Sequence, residues 1–179
     1  MGTQIASREL RHEAPGVRRA AVLALSALWG PRANSWFLPL VEDPDDGVRI
    51  AAVASLRKHG GLDREMVRRV GRILTNAVPA GTEAKVAAAA ALGDTTGPAR
   101  AAAVDLLIQI LAPAGTGFFQ RMVTAEIRED DQVIVTMAQV LLALGGTEGA
   151  KAVATRAGKS TGELRRKLVA LLEARSGGR

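Results

Sequence analysis

The sequence predicts an all-α fold in which antiparallel helix pairs stack side by side as an α-solenoid. Three observations carry this expectation. A short pattern, Val-Arg-x-Ala-Ala-Val-x-x-Leu, returns along the chain at spacings near thirty residues. Within a copy the apolar residues fall at i, i+3, i+4 and i+8, which is one face of an α-helix. The chain is 47% hydrophobic yet only 3% aromatic, so alanine and valine supply much of the core, and helices with small side chains approach closely. At 179 residues, the chain is long enough to bury a sizeable core as one compact domain or one short array.

The copies begin at Val17-Arg18, Val48-Arg49, Ala99-Arg100 and Leu164-Arg165. A degenerate copy runs from Val133 through Met137 to Leu141, with Ile134 in the arginine position. Val17 to Val48 and Val133 to Leu164 are each 31 residues apart, and Ala99 to Val133 is 34. In the second copy Val48, Ala51, Ala52 and Leu56 share a face. One helix pair cannot bury such a face alone, so neighbours must stack in an array.

Each copy follows a shorter helical stretch, clearest in NSWFLPLVED at residues 34–43. Here the chain resembles the HEAT-like repeats, in the short form familiar from bacterial proteins and phycobilin lyases. That unit has a first helix bearing a proline, an Asp turn, and a second helix opening with Val-Arg. Pro39, Asp43, Val48 and Arg49 match those positions, and Asp94 precedes Ala99-Arg100 by the same interval. His12, Arg128 and Lys159 stand where other units would carry the Asp. The resemblance implies a right-handed superhelix of about five units, with the second helices lining its concave face.

The expected units are roughly 1–30, 31–61, an irregular 62–93 leading into 94–112, 113–146 and 147–179. The irregularity arises because Val48 and Ala99 are 51 residues apart, too far for one unit. Residues 62–78 read as an amphipathic helix, with Leu62, Met66, Val70, Ile73 and Leu74 on one side. Residues 82–92 read as another, nearly all alanine, which could itself be a worn second helix. An inserted helix or irregular unit is the preferred reading, because Asp94 and Arg100 match so well. Further helices are expected at 116–128, 130–144, 147–158 and 161–175. Asp63 can cap the helix after it, Ser160 with Glu163 has capping-box spacing, and Pro15 suits a first helical turn. Gly60-Gly61, Gly145-Gly146 and Gly177-Gly178 sit where helices should stop.

The formal charge of +6 is uneven. Residues 1–75 carry 12 basic and 8 acidic groups, residues 76–146 carry 4 and 7, and residues 147–179 carry 8 and 3. Two basic ends flank an acidic middle, unlike the continuous basic stripe of a nucleic-acid binder. Having no cysteine, the chain has no disulfide, thiolate metal site or cysteine nucleophile. The polar start MGTQIASREL lacks a secretion signal's apolar core, and no apolar stretch is long enough to span a bilayer, so a cytoplasmic location without membrane contact is expected.

Arg18, Arg49, Arg100 and Arg165 hold equivalent pattern positions and should align along the stack. With Arg19 and Arg166 they could form a groove for an acidic peptide or a phosphate backbone. The competing reading, and the preferred one, bonds each arginine to the Asp of its own or the adjacent turn. Arg64, Arg68 and Arg72 form an i, i+4, i+8 stripe opposite the apolar face of their helix. They are a further binding candidate, or simply a solvated face. One member of each pair Trp36-Phe37 and Phe118-Phe119 should be partly exposed, since adjacent residues cannot both face one core.

Catalysis finds little support in these residues. His12 and His59 lack metal-ligand spacing, and the acidic clusters at residues 42–46 and 129–131 fall at helix starts, where the macrodipole favours negative charge. No phosphate loop, nucleophile elbow or dinucleotide fingerprint is present. The expectation is a non-catalytic scaffold, without metal or cofactor, that binds a protein or peptide on its concave surface, an acidic one if the repeated arginines take part. The alternative is nucleic-acid binding of the kind seen in HEAT-like DNA glycosylases. A phycobilin-lyase-like role ranks third, as no polar pocket is evident.

Overall fold

The computed structural model describes residues 8–113 and 130–177. Helix α1, Pro15–Trp29, opens on the proline whose missing N–H is harmless in a first turn, and stops where Gly30 turns to φ 54°. A short α2, Asn34–Phe37, tightens into a 3-10 segment, Leu38–Glu42, at Pro39, whose ring cannot continue the α ladder. Helix α3, Asp46–Lys58, is capped by Asp45, which accepts from the Val48 amide at 3.0 Å. Helix α4, Arg64–Leu74, is capped by Asp63 on the Met66 amide at 2.9 Å, as expected.

The remaining helices are α5, Thr82–Leu92; α6, Gly97–Leu111; α7, Asp131–Leu144; α8, Gly146–Lys159; and α9, Gly162–Gly177. No strand occurs among the described residues. The expected helix at 116–128 lies outside them. The capping box at Ser160 and Glu163 does not form. Gly162 takes φ 59°, the helix starts there, and the Ser160 hydroxyl donates back to the Arg156 carbonyl at 2.8 Å.

Two layers result. Second helices α1, α3, α5, α7 and α9 pack in that order, each on the next. The first-helix layer runs from the α2 segment through α4 and α6 to α8. The structure therefore corrects the expected register. Helices α4 and α5 pack on one another as an ordinary unit rather than an insertion, and α6 is the first helix of a unit whose second helix is α7. The Val-Arg-like start of α6 misleads because an alanine-rich helix can bury a face in either layer. The worn run Lys85 to Leu92, with Ala88, Ala89, Ala91 and Leu92 buried, is the true second helix.

Successive second helices pack on one another along the stack, on the side that the resemblance makes concave, here termed the inner face. Their core residues recur in step: Val22 and Leu25, Val53 and Leu56, Ala89 and Leu92, Ala138 and Leu141, all buried. Each fully buried leucine contributes about 1.5–3 kcal/mol. Between layers, glycine sets the spacing. A Cβ on Gly149 of α8 would lie 2.7 Å from the Leu141 carbonyl oxygen of α7. Trp29 and Trp36 meet at 5.5 Å between ring centroids, tilted by 47°. Phe37 is fully buried beside a half-buried Trp36, as their adjacency requires.

Candidate interaction surface

The ladder of turns between the helices decides which cations are free. The five second helices share one frame: the fourth residue after each cap donates its amide to the cap carbonyl. These pairs are Arg18 to Ala14, Arg49 to Asp45, Lys85 to Gly81, Ile134 to Asp130 and Arg165 to Thr161. In α1, α3 and α5 the fourth position holds its charge against a turn rather than on the inner face. Arg18 binds Asp43 of the following turn through two hydrogen bonds of 2.8 and 2.7 Å, and donates to the carbonyls of His12 and Glu13. The Asp43 bond holds the guanidinium pKa above its ordinary value. Arg49 is buried on Asp46, which also accepts the Gly81 amide at 2.9 Å. Lys85 is buried and donates to Asn76, a residue in the left-handed region at φ 60°.

Arg18 and Arg49, weighed for a basic groove, thus bond the Asp of the adjacent turn and of their own turn, as the preferred reading has it. Arg100 leaves the row altogether. It lies on α6 in the first-helix layer and donates to the Leu144 carbonyl at 3.1 Å. Asp94, matched by sequence to Asp43, instead makes an exposed ion pair with Arg57 at 2.6 Å. Val48 is buried in the core, and Pro39 sits exposed in the 3-10 segment. Arg165 holds the fourth position of α9 and is exposed.

The inner face is formed one and five residues further on. The fifth position after the cap reads Arg19, Ile50, Val86, Val135 and Arg166, and the ninth reads Leu23, Ala54, Ala90, Gln139 and Ala170. All ten are exposed or half-buried. An apolar strip therefore crosses α3, α5 and α7, with Arg19 and Arg166 at its two ends. The sequence pattern contained this row but drew attention to the neighbouring arginines, one position off.

Arg64, Arg68 and Arg72 do share a face of α4, in the other layer. With Val67, Gly71 and Leu106 they line a shallow groove of about 340 Å³ between α4 and α6. Arg68 and Arg69 bind Glu65, and Arg72 binds Glu42 at 3.1 Å. The hydrogen bond from Arg68, together with both guanidinium charges, pulls the Glu65 carboxyl down to about 2. Both histidines make local bonds. His12 Nδ1 accepts the Ala14 amide at 3.0 Å, and His59 Nε2 lies 2.9 Å from the Ser26 hydroxyl.

Residues 6–93 match the family model of HEAT repeats. The chain is a HEAT-repeat protein. The matched stretch closes just after α5, so the α4–α5 pair falls within it, in agreement with the packing. A comparison with curated proteins finds no match. HEAT repeats are commonly protein-interaction scaffolds, and among the described residues of this HEAT-repeat protein no helix is long and apolar enough to cross a membrane.

Proposed function

We propose that this chain is a non-catalytic scaffold that holds a protein partner on the inner face of its second helices. The observation that carries the reading is the strip across α3, α5 and α7. Ile50, Val86 and Val135 recur at one helical position, and Ala54 and Ala90 recur at the next. Small and aliphatic side chains at repeat spacing suit an extended or helical segment laid across the helices, and the two flanking arginines favour acidic residues at that segment's ends. Arg18 and Arg49, which a phosphate backbone would need, are held by Asp43 and Asp46, which favours a protein over a nucleic acid.

The test places a photo-crosslinking residue at Ala90 and, as a control, at Gln109 of α6, in an extract of the source cell. A protein captured from Ala90 and lost in the Val86→Glu variant supports the reading. Capture of no protein, or capture that Val86→Glu leaves unchanged, overturns it. A salt titration of DNA affinity addresses the other class: a steep loss of tight binding with salt would replace the protein partner by nucleic acid.

A further inference from the structure

One helix face in the second-helix layer is open although its counterparts in α3 and α5 are covered. In α3 and α9 the fourteenth residue after the cap faces the preceding second helix. His59 of α3 reaches Ser26 of α1 at 2.9 Å, and Arg175 of α9 donates to the Leu142 carbonyl of α7 at 2.9 Å. In both cases the group met is twelve residues after its own cap. The sixth and tenth positions lie one and two turns earlier on the same side. Ala51 and Ser55 of α3 are buried there, as is Ala91 of α5. In α1 these positions are Ala20, Ala24 and Leu28, and no described element covers them. Leu28 is 78% exposed, and Leu23, beside the same stripe, is 52% exposed.

We infer that this face of α1 is a homodimer contact, packed against α1 of a second copy across a twofold axis near Ala24. The interface used between units inside the array says what kind of element fits, a helix presenting small and aliphatic residues. An antiparallel α1 pair satisfies it with its own sequence. With Ala24 facing Ala24 of the second copy, Leu28 falls against Ala20, so a large side chain meets a small one at both ends of an isologous contact. No charge lies within the stripe. Beyond its ends stand Glu13 and Arg32, both exposed, and the antiparallel arrangement brings them toward each other with opposite sign. Helix α9 is a poorer occupant. Its open side carries Val169, with Arg165 one turn before it and Glu173 one turn after it, and it would bring one basic end against the other.

A single 15-residue helix offers a contact about 22 Å long, well below a standard interface, so the dimer forms in the range of about 10–100 μM. Sedimentation equilibrium of the full chain reads this directly. The expected result is a concentration-dependent dimer that Leu28→Glu weakens about 100-fold, since two carboxylates enter an apolar seam. The exposed position leaves the helical circular dichroism unchanged. Because the chain has no cysteine, Ala24→Cys gives a second reading. It should oxidise rapidly to a disulfide-linked dimer, while Val169→Cys on α9 should not. A monomer up to about 1 mM, a dimer indifferent to Leu28→Glu, or equal cross-linking at both cysteine positions would overturn the proposal.

Discussion

Arg18 and Asp43 hold each other through two parallel hydrogen bonds of 2.8 and 2.7 Å, with side-chain exposures of only 11% and 4%. Asp43 also accepts the Asp45 amide at 2.9 Å. One carboxylate thus ties the start of α1 to the turn that launches α3, across the boundary between two units. Removing either partner leaves the other charge without its partner in a part-buried site. Arg18→Ala and Asp43→Ala should each destabilise the chain by about 1–3 kcal/mol, read as a lower urea midpoint. Losses under about 1 kcal/mol, as for an exposed pair, would assign the junction to apolar packing instead.

Asp94 provides the contrast. It carries the same sequence signature as Asp43, yet its ion pair with Arg57 leaves the side chains 49% and 40% exposed. Asp94→Ala should shift stability by about 0.5 kcal/mol or less. A shift as large as that of Asp43→Ala would restore the equivalence that the sequence suggests and the structure denies.

The difference between these two aspartates shows where sequence reading succeeds and where it stops. Helix positions were legible because their signals are local. Asp45 and Asp63 cap through their own turns, Pro15 opens α1, and Gly60 takes positive φ at a helix end. Layer membership was not legible in the middle, because it is a tertiary choice. Helices α5 and α6 are both alanine-rich, and only packing selects α5 for the inner layer. For the same reason the pattern located a surface but put the arginines on it. In α1, α3 and α5 position four holds its charge against a turn and position five faces out, a difference of about 100° that a linear motif does not express.

Glu65 gives a pH prediction. Its carboxyl is lowered from an ordinary 4.5 to about 2, first by the Arg68 hydrogen bond. A depressed carboxylate binds fewer protons folded than unfolded, so its contribution to stability is complete above pH 4.5 and fades as pH falls toward about 2. A carboxyl NMR titration should find Glu65 still ionised at pH 3.5, and Glu65→Gln should flatten the acid limb of the stability curve. Titration at an ordinary carboxylate value would mean the Arg68 bond is not held in solution.

Gly149 tests the contact between layers. Its Cβ would meet the Leu141 carbonyl oxygen at 2.7 Å and the Leu141 side chain at 3.2 Å. Alanine favours a helix interior by about 1 kcal/mol, yet overpacking against backbone costs about 1–3 kcal/mol. Thermal denaturation of Gly149→Ala should therefore show a lower Tm. A raised Tm would mean that α8 stands further from α7 than described.

The order of the second helices is the claim on which the inner strip and the open face of α1 both rest, and one disulfide tests it. A Cβ placed on Gly93, at the end of α5, lies 3.6 Å from a methyl group of Val140 on α7. In a chain without native cysteine, the double variant Gly93→Cys/Val140→Cys should close an intramolecular disulfide under mild oxidation and keep its helical circular dichroism. Two free thiols, or cross-links only between chains, would show that α5 does not stand beside α7.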